Sequence, residues 1–185
     1  VHADAQLLPD TMKTLIIAPH ADDELIGCFS VLVSSPRNFK DVTVMLSEKE
    51  LTEERLTEAH NCCDLLGHAL IEGFVPSTQL PPYDEVYVPS RRDWHVDHRW
   101  TNSTYRHLAT HFYSVDMKHG VPLTPEQASR KQTYLNEVYQ SQASRWKNNP
   151  RYYLFEDIQR YDFDFHESIV VPPWVLSVRS LAPLC

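Results

Sequence analysis

Glycine is scarce in this chain, with 4 among 185 residues, and no Gly- or Ser-rich linker, internal repeat or low-complexity segment divides it. A 42% apolar content supplies a sizeable core, so the expectation is one domain over 12–185. Positive charge is also short. Lys and Arg number 17 against 25 Asp and Glu, a net −8, and no basic run is present to track a phosphate backbone, which argues against duplex nucleic acid as a ligand. No stretch approaches the ~20 apolar residues of a spanning helix, and the N-terminus lacks the basic-then-apolar pattern of a secretory signal. The four cysteines, two of them adjacent at Cys62 and Cys63, do not resemble a disulfide framework, and a reducing cytoplasm fits them. Residues 1–11 lack periodicity ahead of Met12 and read as a loose or non-native arm.

What the chain does have is an apolar run that stops at a proline and releases ionisable groups. Thr14-Leu15-Ile16-Ile17-Ala18-Pro19 leads into His20-Ala21-Asp22-Asp23-Glu24. A buried strand running into a helix places its connecting loop at the carboxyl edge of a sheet, where open α/β folds keep their ligands. An imidazole and a nearby carboxylate can share a divalent cation there, leaving the adjacent carboxylate free to move protons. The competing interpretation is that Asp22, Asp23 and Glu24 only cap the following helix.

A second cluster tips the balance. Asp84-Glu85-Val86-Tyr87-Val88-Pro89 again ends at a proline, and Asp93-Trp94-His95-Val96-Asp97-His98 follows. Catalytic zinc takes three protein ligands from His and carboxylate and keeps a fourth position open, a count that His20, Asp23 and His98 fit. Asp93 or Asp97 can accept the distal N–H of an imidazole and so fix its tautomer.

These two motifs, H-x-D-D-E after a first strand and D-x-H-x-D-H well downstream, resemble the PIG-L/LmbE family of zinc-dependent N-acetylglucosaminyl deacetylases. The resemblance implies His20, Asp23 and His98 as zinc ligands, Asp22 as general base, and His95 as the group that stabilises the oxyanion or protonates the leaving amine. It implies hydrolysis of the N-acetyl group of an N-acetylglucosamine-containing conjugate, a small molecule, to acetate and a free amine. It continues more weakly through Arg55-Leu56-Thr57-Glu58 and Leu65-Leu66-Gly67, although an i,i+3 ion pair on a solvated helix face also explains Arg55 and Glu58. The chain departs from the family where Phe29 stands at a position that is commonly small, and its last 60 or so residues do not match the family's C-terminal signature. Alternatives are a zinc hydrolase of another amide or ester, a different divalent ion in the site, or a catalytically idle sugar-binding module. The motifs specify neither the conjugate nor the oligomeric state.

The element order expected is strand 14–19, helix 24–34, strand 41–47, helix 52–66 ended at Gly67, strand 69–75, strand 84–88, helix 98–113, helix 125–147 with Pro125 in its first turn, and strands at 151–158 and 166–171. Alternation of this kind predicts an α/β, Rossmann-like domain with a mostly parallel sheet. Other residues weigh less. His107 and His111 stand at i,i+4 but lack the Glu of a metalloprotease motif, and His60, Cys62, Cys63 and His68 read as helix packing. Trp94 and Trp100 are candidates to stack on a sugar ring or to join the core. Arg91 and Arg92 either meet an anionic substrate group or line a solvated loop. Glu156 and His166 are candidates for a pocket rim.

Overall fold

The computed structural model describes residues 11–34, 40–48, 51–116 and 119–160. Its centre is a seven-stranded sheet in the order β3-β2-β1-β4-β5-β7-β6. The strands are β1 (Met12–Ala18), β2 (Lys40–Leu46), β3 (Ala69–Glu72), β4 (Glu85–Pro89), β5 (His111–Ser114), β6 (Val121–Pro122) and β7 (Phe155–Gln159). The first five pair in parallel; β7 runs antiparallel to β5, and β6 antiparallel to β7. This is the expected mostly parallel α/β architecture.

Among the described residues, seven α-helices connect and cover the strands: α1 (Asp23–Gly27), α2 (Phe29–Ser34), α3 (Glu53–Leu66), α4 (Val96–Tyr105), α5 (Pro125–Val138), α6 (Ala143–Lys147) and α7 (Arg151–Leu154). The apolar run of β1 is continuous because both faces of a central parallel strand are covered. Ile16 and Ala18 join one core with Val44, Leu25, Phe29, Cys62 and Leu135, while Leu15 and Ile17 join another with Met45, Val88, Tyr105 and Phe112. Among the described residues, no helix is long and apolar enough to cross a membrane.

Where β1 lies between β2 and β4 the strand order reverses, and the loops leaving β1 and β4 at their carboxyl ends flank that crevice. The first motif sits in one loop and the second in the other.

Several elements differ from expectation. The helix expected over 98–113 ends at Tyr105, and 111–114 form β5, because Phe112 and Tyr113 gain pairing to both β4 and β7 that local periodicity does not reveal. The helix over 24–34 breaks at Cys28 (φ −130°, ψ 31°), and that over 125–147 breaks at Tyr139 (φ −96°, ψ 54°). Residues 151–154 form a helical turn before β7, and 166–171 lie outside the described residues. The expected end of α3 at Gly67 and Pro125 in the first turn of α5 are both present, and the structure adds the caps. Thr52 Oγ1 accepts from Arg55 N at 3.3 Å, Gly67 ends α3 in the left-handed region, and Thr124 with Gln127 closes a capping box on α5.

Candidate metal centre

His20 follows β1 by two residues, Asp23 opens α1, and His98 lies in the first turn of α4. The structure brings their polar atoms together. Asp23 Oδ2 is 3.0 Å from His20 Nδ1 and 3.1 Å from His98 Nε2, and the two nitrogens are 3.3 Å apart. Ligands at 2.0–2.1 Å from a tetrahedral zinc are about 3.3 Å from one another, so this triangle has the dimensions of one coordination face. The donor set of two imidazoles and a carboxylate fits a divalent ion of the zinc type.

Each histidine is held from behind. His98 Nδ1 is 2.9 Å from Asp93 Oδ2, which also accepts from Val115 N at 3.2 Å, and His20 Nε2 is 3.1 Å from Asp97 Oδ2. Asp93 and Asp97 thus each lie against one imidazole, Asp93 on His98 and Asp97 on His20. Placing a proton on each distal nitrogen leaves His20 Nδ1 and His98 Nε2 facing Asp23. Burial disfavours charge on His98, yet Asp23 and Asp93 more than offset it and raise its pKa to about 10. Burial likewise opposes ionisation of Asp23, but the neighbouring His98 and His20 hold its carboxyl well below the usual range.

His95 is the N-cap of α4. Its Nδ1 accepts from Asp97 N at 3.3 Å, an arrangement that assigns the ring proton to Nε2. Its ring meets His20 edge-on at 4.6 Å between centroids and lies 5.3 Å from His98. Partial burial and the two neighbouring imidazoles lower its pKa, so the neutral ring predominates. Ligand nitrogens of His20, His95 and His98 all lie within 4.8 Å of one another, which brings His95 within reach of the same ion.

Asp22 is fully buried in an unusual backbone conformation, φ 123°. Its N–H donates to Glu24 Oε2 at 3.1 Å, and Glu24 in turn accepts from the Tyr139 hydroxyl. Asp22 Oδ2 faces Arg145 Nη1 at 3.4 Å, while Oδ1 is buried with no partner. Strain and an unsatisfied buried acceptor both cluster at functional sites. Burial and then the Asp23 charge push the Asp22 pKa well up. Burial likewise raises Glu24 to about 7, against the hydrogen bond from Tyr139.

Arg55 and Glu58 are not the surface pair that their spacing suggested. Arg55 binds Glu48 and reaches Ala21 O at 3.3 Å and Gln142 Oε1 at 3.2 Å, whereas Glu58 accepts from Ser141 N and Oγ at 2.7 and 2.6 Å. Both tie α3 to the turn at 140–142 beneath the first-motif loop. Arg92 Nε donates to Ser90 Oγ at 3.2 Å, and its charge faces Asp157. Trp94 is 68% exposed, its ring 5.3 Å from that of His95, at the edge of the cluster. Trp100 instead packs on Phe74. Glu156 accepts from Ser30 N at 2.8 Å at the start of α2, and His166 lies outside the described residues. His111 is in β5, stacked on Tyr87, so it shares no helical face with His107. Cys28, Cys62 and Cys63 are free and buried.

Sequence reasoning missed Tyr139, Gln142 and Arg145. Tyr139 and Gln142 come from the segment between α5 and α6 and Arg145 from α6 itself, a stretch that carries no motif and reads as one continuous helix.

No family model matches the chain, and no curated protein matches it in sequence. Solved structures do match its fold. N,N'-diacetylchitobiose deacetylase from Pyrococcus horikoshii aligns with TM-score 0.57 and 16% identity over 90% of this chain and 89% of that one. A deacetylase of the A40926 pseudoaglycone aligns with TM-score 0.58 and 13% identity over 84% and 100%. The 4-carboxy-2-hydroxymuconate hydratase of Pseudomonas putida aligns with TM-score 0.50 and 12% identity over 86% and 100%. The chain thus has the fold of these deacetylases, in keeping with the resemblance its motifs carry. That fold also serves a hydratase, so the reaction has to be argued from the site.

Proposed function

We propose that this protein is a metal-dependent hydrolase that removes the N-acetyl group from an N-acetylglucosamine-containing conjugate, using Zn2+ or a similar divalent ion held by His20, Asp23 and His98. The observation that carries the reading is the triangle of those three donors beside a buried carboxylate, Asp22, with one oxygen unpartnered. When bound, the ion supplies positive charge that polarises a carbonyl and acidifies water.

The chain's own residues supply the remainder. Asp22 Oδ1 takes a proton from the attacking water and returns it to the leaving nitrogen, so that acetate and a free amine depart. A carboxyl whose pKa is raised by burial suits both transfers. His95 donates Nε2–H to the developing oxyanion. Its lowered pKa favours this neutral hydrogen-bonding role over protonation of the amine. Trp94, exposed beside His95, offers an aromatic face to a sugar ring. We assign 12–185 to one such domain, and the free thiols support a reducing cytoplasmic compartment.

The test is acetate release from a panel of N-acetylglucosamine conjugates by zinc-loaded protein, beside a chelated sample and Asp22→Asn. Release lost in both controls supports the reading. Stoichiometric zinc without release from any conjugate removes the substrate assignment and leaves hydrolysis of another amide or ester, or sugar binding alone. An Asp22→Asn protein at wild-type rate removes the base.

A further inference from the structure

The chemistry of the two motifs leaves one charged contact unexplained, the approach of Arg145 to Asp22. Carboxylate torsions of aspartate are broad and roughly two-fold, so an unrestrained Asp22 has no reason to present one particular oxygen to the reaction. Its neighbours Asp23 and Glu24 add like charge and no side-chain donor. Among the described residues, the side-chain donor on the Asp22 carboxylate is Arg145, at 3.4 Å from Oδ2.

Arg145 is well placed to restrain it. The segment that carries it is held on three sides: Gln142 Nε2 donates to Ala21 O in the first-motif loop at 2.7 Å, Ser141 binds Glu58 of α3, and the buried Trp146 donates Nε1–H to Asn136 Oδ1 of α5 at 3.2 Å. The Arg145 backbone is thereby fixed relative to Asp22. Its side chain is 53% exposed while the Asp22 side chain is fully buried, so the guanidinium reaches inward from the rim to cover the carboxylate.

We propose that Arg145 is a positioning residue for Asp22. It engages Oδ2, and so leaves Oδ1 as the oxygen that exchanges protons with water and the leaving nitrogen. The proposal rests on the reading of Asp22 as the proton acceptor. It makes α6, outside both motifs, part of the reaction geometry.

The kinetic arm of the test compares zinc-loaded wild type, Arg145→Gln, Arg145→Lys, Asp22→Asn and the Asp22→Asn/Arg145→Gln double variant, with zinc content measured for each. Misplacing a catalytic group by about an ångström costs up to about 100-fold. The expected result is a kcat for Arg145→Gln lower by about 10- to 100-fold, with KM and zinc content unchanged and partial recovery in Arg145→Lys. In the Asp22→Asn background, Arg145→Gln should cost nothing further, since residues acting through one another are non-additive. A rise in KM at unchanged kcat makes Arg145 a substrate anchor instead and overturns the proposal, as does an equal loss in the Asp22→Asn background.

The structural arm needs no turnover. A crystal structure of zinc-loaded Arg145→Gln should show the Asp22 carboxylate rotated or split between orientations relative to wild type. An unmoved Asp22 overturns the proposal. If wild-type protein deacetylates nothing, the activity reading fails alone and this arm still decides the role of Arg145.

Discussion

Asp93 and Asp97 do the same chemical task at very different depths. Asp93 is 1% exposed and binds both His98 and a backbone N–H, whereas the Asp97 side chain is 55% exposed and holds His20 from the rim. Hydrogen bonds to metal-ligating imidazoles are typically worth 10–100-fold in metal affinity. Asp93→Ala should therefore weaken zinc binding by about 10- to 100-fold in a chelator competition, and Asp97→Ala by clearly less, because water replaces an exposed partner. A larger loss from Asp97 would contradict the idea that burial sets the value of each contact. His95 poses a different question, since it lies close enough to His20 and His98 to ligate. His95→Asn, which retains a capping side chain for α4, should lower kcat by ~10²- to 10³-fold while zinc content stays at wild type. Zinc lost from that variant would make His95 a ligand. At this scale the sequence was informative because His20, Asp22, Asp23, Asp93, His95 and His98 are adjacent in two short motifs. Arg145 was invisible to it, because contact with Asp22 arises only once α6 has packed.

Between elements, α1 approaches β5 closely at Gly27. A Cβ on Gly27 would stand 2.2 Å from Cδ2 of Tyr113, a fully buried ring whose hydroxyl donates to Ile17 O at 2.9 Å. The ring is pinned at both ends and cannot retreat cheaply. Gly27→Ala should cost about 1–3 kcal/mol in urea unfolding, in the range of overpacked cores, and a change within about 0.5 kcal/mol would show that α1 shifts freely. The apolar pattern of 24–34 revealed neither this contact nor the break at Cys28. A second tie crosses the same region. Lys131 of α5 is buried and donates to Ile26 O at 2.5 Å and Phe155 O at 2.8 Å, joining the end of α1 to β7. Burial lowers its pKa to about 8, with Glu156 on β7 and the Cys28 thiol as the facing titratable groups, against about 10.4 in an unfolded chain. Between those values the unfolded state binds more protons, so this group's burial cost is full below pH 8 and is relieved as pH rises through the window. The stability of wild type relative to Lys131→Met should climb between pH 8 and 10, by at most about 1.4 kcal/mol per pH unit. A flat difference would mean that Lys131 titrates as an ordinary lysine.

For the molecule as a whole, the sequence disclosed the parallel core and the edge at which the two motifs meet, because β1 and β4 are apolar runs that each end in a motif-bearing loop. It hid β5, whose pairing to β4 and β7 is long-range, and the interruptions at Cys28 and Tyr139. The interruption at Tyr139 is where Tyr139 and Gln142 meet Glu24 and Ala21 of the first motif. Folding therefore completes the proposed cation site from three separate elements: the loop after β1, the start of α1 and the first turn of α4. A net charge of −8 favours cation approach to it. A site assembled only in the folded state makes ion binding add to stability, by about 4 kcal/mol at a free concentration 1,000 times Kd. In a domain of this size, that corresponds to a rise in Tm of roughly 10 °C. Zinc should raise Tm by that order in wild type and in Asp22→Asn, which keeps all three donors, and a chelator should reverse it. His98→Ala should lose most of the increment, since the triangle is left with two corners. Equal Tm values for wild type with zinc and with chelator would remove the metal site itself, and a full increment in His98→Ala would move the ion to other donors, with His95 first among them.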